Sequence, residues 1–303
     1  MTGLSGIDNS MPSGRQGEVS VDRVTLSERI RSRDLRIQSA GPLAYTLSAI
    51  AHYGVRAVLG SRVQRDREHV LNEYDVDSRN EYWDSELSLD QLIYGDDRTA
   101  KWLLKDGVLV VGIDRVSREY LTQRLLSRVS EYLPDGKGTI VEFGCGTGRN
   151  LFFLRRHFPE ARLVGFELSP STAARAQRDA DAFGLDIEVI QADMTSPLDW
   201  DGRASVSFTV HALEQLPRVF TKAVDQILSI TDGAAIFFEP VLELFPVSLR
   251  GLAARLRLRN ADHLNGLLTY LRQNGAGRTV VAEPLPTVGA PLNQTSELVV
   301  EIS

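Results

Sequence analysis

The chain has a single cysteine, Cys145, among 303 residues. That excludes an internal disulfide framework and any metal centre built on several thiolates. A basic excess is also missing: 34 Lys and Arg against 40 Asp and Glu leave a net charge of −6. Nothing in that balance draws the whole molecule to nucleic acid or to an anionic membrane. The longest apolar stretch, Leu43 to Leu59, is broken by His52 and Arg56. It falls short of the ~20 residues that a membrane span requires and reads as a buried or partner-facing helix. No spacing of His, Cys, Asp and Glu matches a metal site, so no metal is expected. Residues 1–20 are rich in Gly, Ser, Asn and Asp, have no apolar core of a secretory signal, and read as a disordered leader. A cytoplasmic location is the expectation.

What is present is ordinary globular material, 43% apolar and 24% charged, enough for one large core with a smaller attachment. Residues 21–114 read as a helical N-terminal extension or lid, with one short strand-like run at Gly107 to Val111. From Ser117 to Leu133, Leu121, Leu125, Leu126, Val129 and Leu133 share one helical face. An alternation of strands and helices then begins. Strands are expected at Thr139–Phe143, Arg162–Phe166, Ile187–Gln191, Ala204–Val210 and Ala234–Phe238. Helices are expected at Arg149–His157, Ser171–Phe183 and Arg218–Ile230. Two further helices, Pro246–Arg259 and Ala261–Asn274, precede strand-like runs at Arg278–Ala282 and Glu297–Ile302, joined by a Pro- and Gly-rich connection. Such alternation implies an α/β fold with a doubly wound, largely parallel sheet.

The most informative segment is Thr-Ile-Val-Glu-Phe-Gly-Cys-Gly-Thr-Gly-Arg-Asn, residues 139–150. An apolar strand ends in an acid, Glu142, and three alternate glycines lead into a helix. Glycines there let the backbone turn sharply and bring a ligand against bare amides. The dinucleotide fingerprint Gly-x-Gly-x-x-Gly does not fit: begun at Gly144, it puts Arg149 where the third glycine belongs.

The segment resembles the first motif of class I S-adenosylmethionine (SAM) dependent methyltransferases. That resemblance implies a Rossmann-like, seven-stranded sheet with a terminal antiparallel hairpin over residues 115–303, and SAM as cofactor. It also implies a cofactor site made of Glu142, Gly144, Cys145, Gly146, Gly148 and Asn150 around the first turn. Glu167 and Leu168 end the second strand, about 20 residues further on, where a carboxylate accepts ribose hydroxyls. Asp193 and Met194 follow the third strand and are implied as the adenine contacts, although Asp there also serves as a cap. Val210 and His211 follow the fourth.

His211 is the candidate general base, since an imidazole titrating near neutrality can take a proton from a hydroxyl as it is methylated. Glu214 would orient it or bind an acceptor amine. Mere cofactor contact is the competing role for both, because alignment supplies much of the rate of an in-line displacement. For the acceptor wall the candidates are Tyr74, Tyr82, Trp83, Glu239, Glu243, His263 and Asn265. Simple packing of the aromatics and a capped, buried Glu239 are the alternatives.

These residues point to transfer of a methyl group to an oxygen or nitrogen of a small molecule, of the secondary-metabolite type. An acid-lined pocket favours a basic nitrogen, and His211 favours a hydroxyl. A protein or RNA methyltransferase, or a SAM-binding interaction protein without catalysis, are the alternatives. The sequence supports neither nucleic acid nor membrane as a partner, and it leaves the N-terminal helices as a candidate homodimer interface.

Overall fold

The computed structural model describes residues 41–59, 65–74, 87–95, 100–274 and 277–302. The expected leader, Tyr82 and Trp83 lie outside these residues. Three helices come first: α1 (Gly41–Val58), α2 (Arg67–Tyr74) and α3 (Leu89–Tyr94). Ser88 caps α3 with a reciprocal box, its hydroxyl accepting from Gln91 N while the Gln91 side chain accepts from Ser88 N. The box satisfies two amide donors that a helix start otherwise leaves orphaned.

The strand-like run expected at Gly107 to Val111 belongs to a hairpin. Strands β1 (Ala100–Lys105) and β2 (Val108–Ile113) form an antiparallel hairpin. Its two-residue turn, Asp106-Gly107, has positive φ at both positions, 49° and 77°. That conformation matches the twist of the flanking strands, and Asp-Gly is its usual sequence.

Helix α4 (Asp114–Tyr132) leads into the main sheet. The sheet is built from β3 (Thr139–Phe143), β4 (Arg162–Glu167), β5 (Glu188–Gln191), β6 (Ala204–Val210), β7 (Thr231–Glu239), β8 (Gly277–Ala290) and β9 (Asn293–Ile302). Between them run α5 (Arg149–Arg155), α6 (Pro170–Ala182), α7 (Phe220–Ile230), α8 (Leu249–Asn260) and α9 (Leu267–Asn274). The strand order is β5-β4-β3-β6-β7-β9-β8, parallel from β5 to β7 and antiparallel at β9 and β8. This is the expected seven-stranded sheet with its terminal antiparallel pair. The chain leaves β3 to build outward through β4 and β5, then returns to β6 on the other side. The switch therefore lies between β3 and β6, where open α/β sheets bind ligands at their C-terminal ends.

Both faces are covered. Leu125 and Val129 of α4 and Leu151 and Phe152 of α5 pack on one face. Ala223, Val224 and Ile227 of α7 and Leu267, Leu268 and Leu271 of α9 pack on the other. A third cluster joins Tyr45, Ala49, Ile50 and Tyr53 of α1 to Ala253, Ala254 and Leu258 of α8.

Two segments differ from expectation. Helix α9 starts at Leu267, because Asp262 (φ 52°) and Gly266 (φ 91°) take the left-handed conformation, so Ala261–Gly266 is a loop. The Pro-rich connection is largely strand: β8 continues through Pro284 and Pro286, with a register break between Pro284 and Gly289. Prolines cannot donate to a ladder, and a bulge spares them that duty.

Candidate functional site

At the C-terminal ends of β3, β4, β5 and β6 lies a cavity of about 510 Å³. Its floor is the turn between β3 and α5. The amides of Gly144 and Cys145 both donate to Phe166 O (2.8 and 3.0 Å), which pins the turn to β4. Gly144 has φ 71°, and a side-chain carbon there would lie 2.5 Å from Cβ of Ala212. Any larger residue would push the loop after β6 out of place. Gly148, with φ 81°, occupies the N-cap of α5 just outside the cavity lining. Cys145 fills the space opposite Gly165 with a buried thiol, pushed well above its ordinary pKa by burial.

Three carboxylates converge on this floor. Glu142 is buried: its Oε1 accepts from Asn150 Nδ2 at 2.6 Å, and its Oε2 has no partner among the described residues. Burial raises its pKa well above the usual range, against the pull of the Asn150 bond. A lone buried acceptor of this kind costs on the order of 1–3 kcal/mol unless a ligand satisfies it. Glu167 accepts from Gly146 N through Oε2 and from Ser169 N through Oε1, both at 2.9 Å. Burial raises its pKa as well, opposed by those amides. Asp193 Oδ1 accepts from Thr195 N and Oγ1, at 2.9 and 2.6 Å. Its Oδ2 accepts from Arg67 Nε at 3.1 Å. Burial works against its ionised form, but the Thr195 and Arg67 contacts prevail and lower the pKa.

Beyond β6 the chain turns through His211, a non-glycine residue at φ 55°. His211 Nδ1 lies 3.3 Å from Glu214 Oε1, and Nε2 lies 2.7 Å from Thr295 Oγ1. Glu214 is buried and also accepts from Gln215 Nε2 and Asn293 Nδ2, both at 3.0 Å. His263 Nδ1 stands 3.5 Å from its second oxygen. Burial opposes a charge on His211, yet the neighbouring Glu214 outweighs it and raises the imidazole pKa. Conversely Glu214 is held well below the carboxylate range by the two histidines despite its burial.

Of the expected cofactor residues, Glu142, Gly144, Cys145, Gly146, Asn150, Glu167, Leu168, Asp193, Met194, Val210 and His211 all line the cavity. The expected acceptor residues are placed differently. Glu239 is fully buried behind the loop, accepting from Ala212 N, Leu213 N and Glu214 N (2.9, 3.0 and 3.1 Å). Burial pushes its carboxyl up to about 7. Glu243 is exposed, 3.4 Å from Thr269 N, and His263 faces Glu214 rather than the cavity. Asn265 is exposed in the loop before α9. Tyr74 ends α2, and its side chain lies outside the described residues.

The other wall was not legible as a motif. Asp114, Ser117, Arg118, Leu121 and Thr122 of α4 face the cavity, with Ile93, Leu103 and the Val288–Ala290 turn of β8. The apolar stripe that marks α4 as a helix includes Leu121, and the same face, continued toward the N-terminus through Arg118, Ser117 and Asp114, carries this wall. The N-terminal segment closes the top with Val70. It is clasped there by Arg65, whose guanidinium donates to Gln215 Oε1 and Ala261 O and pairs with Glu73. Arg218 in turn donates to Arg65 O, and Asp262 accepts from both Arg65 N and Arg218.

Residues 140–232 match the model of a methyltransferase domain. They form a class I SAM-dependent methyltransferase domain. The same fold is found in the magnesium protoporphyrin IX methyltransferase of Synechocystis PCC 6803 with bound S-adenosylhomocysteine (SAH), at TM-score 0.55 and 15% identity. That match covers 78% of this chain and 100% of the other. The SAM-bound form of the Synechocystis enzyme gives TM-score 0.50 at 15% identity, covering 80% and 99%. A putative sarcosine dimethylglycine methyltransferase from Galdieria sulphuraria gives 0.51 at 14%, covering 63% and 89%. SAM fits this methyltransferase site on the chain's own chemistry. Its ammonium can meet the Glu142 oxygen that has no partner among the described residues, and the acids at the strand ends suit its net positive charge.

Proposed function

We propose that this methyltransferase acts on an oxygen or nitrogen of a small-molecule acceptor of the secondary-metabolite type. The observation that carries this reading is one cavity shared by the three strand-end acids and a far wall in which apolar side chains stand beside Asp114 and Arg118. Ile93, Leu103, Leu121 and Val288 are those apolar side chains, and Val70 covers the wall. A clasped cover suits a molecule small enough to be enclosed, whereas a protein or RNA acceptor calls for an open or basic groove.

Glu142 binds the methionine ammonium, Glu167 the ribose hydroxyls, and Asp193 with Met194 the adenine edge. SAM supplies the methyl group, and the chain's own task is to align a nucleophile with it and remove a proton. His211 takes that proton at Nε2 once Thr295 yields the nitrogen to the acceptor, and Glu214 stabilises the imidazolium that results. Residues 115–303 carry this chemistry, and the extension before them serves as the lid.

Turnover is tested by following SAH formation with the dialysable metabolite fraction of a cell extract and with the retained macromolecular fraction. Activity confined to the retained fraction overturns the small-molecule reading. His211→Ala should lower turnover by a factor of about 10²–10⁴, typical of a lost general base, while SAH affinity holds. An equal loss in both reduces His211 to a binding residue. Because Glu214 raises the pKa of His211, wild-type kcat/KM should climb with pH through a limb above 6.5, the ordinary histidine value.

A further inference from the structure

Helix α1 is apolar on both sides. One side, with Tyr45, Ala49, Ile50 and Tyr53, packs on α8. The other presents Leu43, Leu47, Val55 and Val58 to solvent at helical spacing, followed by Leu59. Val247, Leu249 and Leu252, at the start of α8, are exposed too. Eight of the eleven large exposed apolar side chains among the described residues therefore belong to this helix pair and its flanks. A helix apolar all round is normally covered on all sides.

The charge around it is equally one-sided. Residues 35–65 and 244–261 contain no Asp or Glu, although the chain has 40 acids. Helices α1 and α8 themselves carry Arg56, Arg250, Arg255, Arg257 and Arg259 and no acid. The net charge of −6 conceals this local excess. Two copies of such a face would set arginines against arginines. Residues 1–40 are no better matched, with six arginines and five acids. An anionic partner is the complement. The apolar side chains protrude rather than line a groove: Val58 is 86% exposed and Val247 fully so. Protruding apolar residues beside arginines are the composition of an interfacial helix on an anionic leaflet.

We propose that the open face of α1, with the start of α8, docks this methyltransferase on an anionic lipid bilayer. The helix lies on the surface; among the described residues none is long and apolar enough to cross a membrane.

Co-sedimentation of the full chain with vesicles tests this. Binding is expected to phosphatidylcholine vesicles containing phosphatidylglycerol, weakening as salt rises, and not to pure phosphatidylcholine. The pair Leu47→Asp and Val58→Asp should lower the partition coefficient about tenfold or more, since two buried apolar side chains are exchanged for charges. SAH affinity should be unchanged in that variant, which certifies its fold, because neither residue lines the cavity. Binding to neither vesicle overturns the proposal, as does binding that ignores lipid charge and salt. A concentration-dependent dimer abolished by Leu47→Asp, without vesicle binding, overturns it in favour of a second copy.

Discussion

Glu167→Gln separates the two duties of this side chain. The carboxylate is 7% exposed, and each of its oxygens accepts one backbone N–H, from Gly146 and from Ser169. The proposed ribose bonds use the remaining lone pairs. A carboxamide in its place would keep the shape but present one oxygen and one NH₂. Whichever way the amide turns, one backbone N–H then faces another donor. An unsatisfied amide at a buried position costs about 1–3 kcal/mol, and for a chain of this size each kcal/mol lowers Tm by roughly 1–2 °C. In the complex, one ribose hydroxyl also loses its charged acceptor. A hydrogen bond to a charged group contributes about 1.5–3 kcal/mol, so Kd for SAH should rise roughly 10- to 150-fold. Calorimetric titration with SAH and thermal melts of the free protein read the two effects independently. A Kd within about threefold of the wild type, beside a lowered Tm, would make Glu167 a loop fastener only and remove it from the cofactor site.

Two other consequences concern the loops around the cavity. Glu239 has a carboxyl pushed up to about 7 by burial, so the folded state holds its proton where the unfolded chain has lost it. Stability should therefore fall as pH rises from about 4.5 to about 7, by something on the order of 3 kcal/mol; His211, raised by Glu214, adds a loss of the same sign as pH rises through its folded pKa. Urea melts of Glu239→Gln across that range should be flatter than the wild type, and identical slopes would refute the assignment. Arg65→Ala removes the buried guanidinium that clasps the N-terminal segment to Gln215 and Ala261. Acceptor KM should rise by about tenfold or more, on the scale of a broken buried network. SAH affinity should change less, and the reverse order would mean that the segment serves the cofactor rather than the acceptor.

Much of the sheet was legible because its strands are short apolar runs that turn signals bound. Thr139–Phe143 and Ala204–Val210 fall where the pattern places them. Less was legible where turn chemistry overrides periodicity. Asp106-Gly107 is a hairpin signal in plain view, but the helical character of the surrounding extension obscured it. The left-handed Asp262 and Gly266 cut α9 short, and nothing in the apolar spacing of Leu264, Leu267, Leu268 and Leu271 reports that.

The sequence by itself determined the turn between β3 and α5 and the order in which Glu142, Glu167, Asp193 and His211 arrive at successive strand ends. Local sterics dictate where glycine is needed, and a parallel sheet brings strand ends together without further instruction. Tertiary structure alone decided which polar residues face the ligand. Glu239, Glu214 and His263 are close in sequence to the site, yet they are turned inward to satisfy backbone amides and one another. Arg65, Arg118 and Gly289, distant along the chain, form its clasp and far wall. Burial makes every unpaired polar group costly, so the Glu142 oxygen that folding leaves without a partner among the described residues stands out as the one kept for a ligand.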